Sequence, residues 1–260
     1  MQFRVFFSLS VLLLGICLCF SGCLNVPDAQ KTGPTLQTSV PTTVPTSSVP
    51  VIETFTPSET PTAISLSSED INLHFMDVAF GSGTIYLVRL PPSSKRTTIS
   101  LNAGTAADRQ TIEAFAAKFN SLSQSNMLFE NPKVGQTGDI RVKFLSPEGM
   151  RAVDMDDEMD WLNREFSCDG VICAKIKGYD IYLNSDMTGD QRTHYLLRSL
   201  LYTLGFKGDS LQYPDSIFAY PENTVTELSF LDEKAIQVMY GLGMYDGMTV
   251  YDVKGVLFFK

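Results

Sequence analysis

An α+β domain is what this chain predicts for residues 69–260, with a mixed, twisted sheet, two long helices and a C-terminal helix. Three observations carry that expectation. Short runs alternate apolar and polar residues, the period of a half-buried strand. Longer runs repeat apolar residues every three or four positions, the period of a helix lying on a core. Thr105-Ala-Ala-Asp108 and Ser229-Phe-Leu-Asp232 have the spacing of capping boxes, in which a hydroxyl and a carboxylate satisfy the first free N–H groups of a helix.

In chain order, Ile71-Asn-Leu-His-Phe75 and Ile85-Tyr-Leu-Val88 alternate and are read as strands, with His74 on the exposed polar face of the first. Thr98-Ile-Ser-Leu101 is a third short strand. The box at Thr105 starts a helix whose stripe is Ile112, Phe115, Ala116, Phe119 and Leu122. Asp139-Ile-Arg-Val-Lys-Phe144 alternates cleanly, and Val171–Ile176 and Tyr179–Leu183 are two strands joined through Gly178. A second long helix runs from about Gly189 to Leu204, where Gly205 stops it; its stripe is Leu196, Leu197, Leu200, Leu201 and Leu204. The box at Ser229 starts the last helix, with Ala235, Ile236, Met239 and Tyr240 inward.

Residues 1–22 are read as a signal peptide. Arg4 is the only charge among the first 27 residues, and Val5–Phe20 is a nearly unbroken apolar run of 16. A spanning helix needs about 20. Phe20-Ser21-Gly22-Cys23 then resembles a lipoprotein processing box, with Phe20 where an aliphatic residue is usual. That resemblance implies that Cys23 is lipidated and becomes the mature N-terminus, on the extracytoplasmic face of a membrane. Ordinary signal cleavage and an uncleaved anchor are the alternatives. Residues 23–68 are read as a disordered linker: 24 of the 45 residues after Cys23 are Thr, Pro or Ser, which restrict the backbone and offer little to bury.

Cysteine use agrees with export. Cys17 and Cys19 leave with the signal and Cys23 takes the lipid, so Cys168 and Cys173 remain as an even pair flanking an Asp-Gly turn. A structural disulfide is expected there.

Charge and histidine count exclude whole classes. With 29 acids against 20 bases the net charge is −9, which disfavours nucleic acid as a partner. Only His74 and His194 are present, too few for a site of clustered histidines. Asp154, Asp156, Glu158, Asp160 and Glu165 fall at calcium-loop spacings, but Met159 stands where the loop needs Gly, so a solvated acidic segment is expected.

The C-terminal part resembles a family. Tyr213-Pro-Asp-Ser-Ile-Phe-Ala-Tyr220, Leu228-Ser-Phe-Leu-Asp232 and Ala235-Ile-Gln-Val-Met-Tyr-Gly241 look like the segments that follow the active-site helix of metzincin zinc peptidases. Leu204-Gly205-Phe206 is similar to the end of that helix, and Asp246-Gly-Met-Thr249 resembles the ending of a family of uncharacterised envelope proteins that keeps the scaffold without the zinc motif. The resemblance covers about 179–250 well and 69–178 only by element order. It implies a zincin-like fold.

Metzincins carry H-E-x-x-H-x-x-G-x-x-H, two histidines a helical turn apart with Glu as base. Counted back from Gly205, the first His position is Arg198, the Glu position Ser199, the second His position Tyr202 and the third ligand position Gly208, followed by Asp209; Phe218 replaces the methionine of the turn. Every ligand and the base are gone. No metal or other cofactor is expected. His194, Arg198 and Tyr202 share one helix face, which in the family lines the substrate cleft. With Ser199, Asp209 and Phe218 they are the expected remnant cleft. Arg198 either pairs with Asp209 as a structural bridge or binds a ligand carboxylate. Ser199 is a poor nucleophile, since His194 lies five residues away on the same helix.

The expected function is that of a membrane-anchored cell-surface lipoprotein whose catalytically degenerate domain binds a peptide, protein or envelope polymer. A hydrolase with a non-standard site and a purely structural envelope protein are the alternatives.

Overall fold

The computed structural model describes residues 66–81, 84–90, 96–131, 138–155, 162–220 and 223–258. Cys23, the expected signal segment, most of the expected linker and the acidic residues Asp156, Glu158 and Asp160 lie outside the described residues. The elements are α1 (Ser68–Ala79), β1 (Thr97–Asn102), α2 (Ala106–Ser123), β2 (Met127–Phe129), β3 (Ile140–Leu145), α3 (Pro147–Ala152), β4 (Arg164–Cys168), β5 (Val171–Lys177), β6 (Asp180–Asn184), α4 (Gly189–Thr203), α5 (Phe230–Tyr240) and α6 (Val250–Phe258). The fold is α+β. Its six strands form one mixed sheet in the order β2-β1-β3-β6-β5-β4, in which β2, β1, β3 and β6 are parallel and β5 pairs antiparallel with both β6 and β4.

Alternation along β3 separates the two sheet faces. Ile140, Val142 and Phe144 are buried in the core shared with α2, α4 and α5, while Arg141 and Lys143 point the other way. On that polar face Asp180 accepts from Arg141 at 2.7 and 2.5 Å and pairs with Lys143 at 2.9 Å. The helices at Thr105 and Ser229 start where the capping boxes place them, and their expected stripes are buried apart from Leu122 and Tyr240, which are half-buried.

One element is corrected outright. Ile71–Phe75 is not a strand but part of α1, and His74 is not exposed but fully buried, whereas Leu73 is 41% exposed. Five alternating residues fit either period. A third box decides it: Ser67 accepts from the Asp70 N–H while the Asp70 carboxylate accepts from the Ser67 N–H, and His74, Phe75, Val78 and Ala79 then form a helical stripe. Ile85–Val88 yields only an isolated bridge, Tyr86 with Thr249. The sequence expectation lacks β2, β4, α3 and α6.

β4 and β5 form a tight hairpin. Asp169 and Gly170 both have positive φ, 51° and 75°, as a two-residue turn matched to strand twist requires. Phe166 pairs with Ala174 and Ser167 with Ile172, leaving Cys173 as the extra residue. Cys168 and Cys173 are joined in a disulfide, with Cα atoms 5.9 Å apart. No helix among the described residues is long and apolar enough to cross a membrane.

Candidate functional site

α4 packs on β5 and β6. Its leucine stripe is buried, and so is its polar face: His194, Arg198, Ser199 and Tyr202 are all 5% exposed or less, and Phe218 is fully buried. The sequence predicts these residues along a cleft. The structure closes that face, because Phe166 of β4 stands edge-on to Tyr202 and the Arg198 guanidinium lies between Phe166 and Phe218, 5.2 and 4.9 Å from the ring centroids.

A buried guanidinium is tolerable only with its hydrogen bonds made. Arg198 donates to the Phe206 carbonyl at 3.2 Å, the Gly208 carbonyl at 2.6 Å and Asp209 Oδ1 at 2.8 Å. Asp209 Oδ2 accepts from Arg164 at 2.8 Å, so one carboxylate bridges two guanidinia. The carbonyls are aimed by two glycines. Gly205 has φ 119°, and a Cβ there would lie 2.0 Å from the Val88 carbonyl oxygen; a Cβ on Gly208 would lie 1.8 Å from that of Asp77. Neither position has room for a side chain, so Gly208 cannot be exchanged for a ligand without moving α1.

The remaining polar groups are committed or isolated. Tyr202 donates to the Asn163 carbonyl at 3.1 Å. His194 Nδ1 meets the Val225 carbonyl at 2.8 Å; burial, opposed by that bond, lowers its pKa to about 4, so the ring is neutral at pH 7. Ser199 Oγ has no hydrogen-bond partner among the described residues, and the serine is fully buried. Lys207 is 2% exposed with its ammonium 3.8 Å from the Tyr202 ring centroid and without a hydrogen-bond partner among the described residues. Burial, then the nearby Arg198, lowers its pKa to about 7. Two guanidinia thus share Asp209, and Lys207 lies against Tyr202 beside them.

Below this cluster the turn at Ser216–Phe218 is tied to the start of α5. Asp232 Oδ1 accepts from Ser216 at 2.6 Å and meets His74 Nε2 at 2.9 Å; Oδ2 accepts from the Ile217 and Ser229 N–H groups at 3.0 and 2.9 Å. Burial alone would raise this carboxyl, but the bonds, led by His74 and Ser216, hold it below the usual range.

Of the six expected cleft residues, Asp209 alone borders open space. It lines a groove of about 870 Å³ whose walls come from α1, the 211–212 segment, Tyr220 and α6 rather than from α4. Sequence reasoning missed Arg164, Lys207 and the His74–Asp232 pair. The third box at Ser67 was the signal that would have turned His74 inward. Glu165, expected in a solvated acidic segment, is 43% exposed and lies 3.5 Å from Lys175. Among the described residues no three of His, Cys, Asp and Glu are grouped to hold a metal.

No family model matches the chain, and the comparison with curated proteins gives no match. Among solved structures, one of myroilysin is similar at 14% identity and a TM-score of 0.36, covering 59% of this chain and 95% of that one. A second myroilysin structure is similar at 13% identity and the same TM-score, covering 62% and 88%.

Proposed function

We propose that this chain is an exported lipoprotein, anchored through Cys23, whose domain keeps a zincin-like scaffold without zinc chemistry and binds a peptide, protein or envelope polymer without cutting it. The observation that carries the reading is the Arg198 side chain. It stands where the metzincin pattern has its first histidine, and its guanidinium is held by two carbonyls and Asp209. A fixed positive charge there repels a metal cation. The other two ligand positions hold Tyr202, whose hydroxyl is donated to Asn163, and Gly208, which has no room for a Cβ. These residues do not fit zinc. A serine hydrolase is equally poorly supported, because Ser199 is fully buried and His194 spends Nδ1 on Val225.

Three measurements on natively purified protein test the reading. Metal analysis is expected to find no stoichiometric zinc, and a peptidase screen no turnover. Crosslinking in solubilised envelope is expected to capture a specific component. Zinc lost on chelation together with peptidase activity would overturn the proposal in favour of an enzyme. Absence of any captured component would favour a structural role.

A further inference from the structure

We infer that the groove between α1 and α6 docks a short peptide segment that carries a cationic side chain between apolar ones. The inference rests on the binding-module reading and names the partner's chemistry. Its first support is shape. A concavity of about 870 Å³ is within the size range of ligand sites. Large apolar side chains stand in water around it: Leu73 is 41% exposed, Tyr220 58% and Leu211 78%. Scattered apolar residues need no explanation, but a set converging on one concave surface marks a contact site.

The second support is charge. Two carboxylates line the groove, Asp77 from α1 and Asp209. Gly208 packs so closely on the Asp77 carbonyl that the two acids come from touching backbones. They are not equivalent. Both Asp209 oxygens are turned onto Arg198 and Arg164, whereas no described basic side chain lies within ion-pair distance of Asp77. Asp77 is half-buried, and burial disfavours its charged form, so a cation placed beside it relieves a desolvated carboxylate. Lys254 on the α6 wall gives the groove an opposite pole and repels a second cation there. The chain's net charge of −9 further favours the approach of a basic ligand over an acidic one.

The test uses the full chain and two acetylated, amidated hexapeptides, one alternating Leu and Lys, the other alternating Leu and Glu. Calorimetric titration is expected to give saturable one-to-one binding of the Lys peptide, at least tenfold tighter than the Glu peptide. Asp77→Asn is expected to weaken it at least tenfold, and Leu211→Ser, a change at a solvated side chain that leaves folding untouched, severalfold. No saturable binding, equal affinity for both peptides, or an unchanged affinity in Asp77→Asn would each overturn the proposal. So would adsorption to phosphatidylcholine vesicles that depends on Leu211 but not on Asp77, which would make the groove a lipid contact. If parent and Asp77→Asn capture the same envelope component equally, the groove falls and the binding-module reading stands.

Discussion

Lys207 is a buried base without an acid of its own among the described residues. Its pKa falls from 10.5 to about 7, so between those values the unfolded chain holds a proton that the native protein does not. Stability should therefore rise with pH across that window, by at most about 1.4 kcal/mol per unit, and this contribution is at its minimum below pH 7. The Tyr202 ring face favours the ammonium and so narrows the window from its lower edge. Urea unfolding at pH 7, 8 and 9 should show the parent gaining on Lys207→Met; parallel curves would refute the assignment. His194 acts in a separate window. Its pKa drops from 6.5 to about 4, so stability is lost as pH falls through that range. Arg198→Met should cost about 3 kcal/mol, the low end for breaking a buried pair, because Asp209 keeps Arg164 and is a quarter exposed. Denaturant midpoints in a double-mutant cycle with Asp209→Asn should show coupling, and additive losses would mean that the pair is not an energetic unit. The Arg198–Asp209 contact was legible because only 11 residues separate a helix face from the loop after it. Arg164, 45 residues from Asp209, was not, since only the hairpin that follows it, packed against α4, delivers it there.

Elements were legible where the sequence punctuates them. Thr105 and Ser229 announce α2 and α5, and Gly205 ends α4. α1 was lost because five alternating residues outweighed an equally plain box at Ser67, and β2 because a run of three residues carries too few periods to be distinguished from loop. The boxes are not equal in weight. Asp70 is a solvated cap, while Asp232 is fully buried and also holds His74 and the Ser216 turn. Asp232→Asn should therefore destabilise by about 3 kcal/mol, the scale of a broken buried charged network rather than of a cap. Amide exchange at Ile217 and Phe218 should accelerate together with that loss. Asp70→Asn should leave both amides as protected as in the parent, and equal effects from the two substitutions would reduce Asp232 to a simple cap.

At the scale of the whole chain, the open groove takes only Asp209 from the residues that the peptidase resemblance highlights. Linear spacing could position Arg198, Tyr202 and Gly208 on a family pattern, but whether that face is open depends on Phe166 and Phe218, which arrive from β4 and the turn. The proposed placement on a membrane rests on Cys23. Of the five cysteines, Cys17 and Cys19 belong to the expected signal segment, and Cys168 and Cys173 are consumed by their disulfide. With residues 1–22 removed as proposed, Cys23 is thus the one thiol left for an acyl group. Each buried CH₂ contributes about 0.8 kcal/mol, so a single fatty chain holds a protein only marginally and two or more hold it firmly. The parent should incorporate labelled palmitate and partition into the detergent phase after Triton X-114 separation. Cys23→Ser should incorporate none, while the Cys168–Cys173 disulfide and the thermal midpoint stay unchanged. Equal incorporation by parent and variant would remove Cys23 as the anchor.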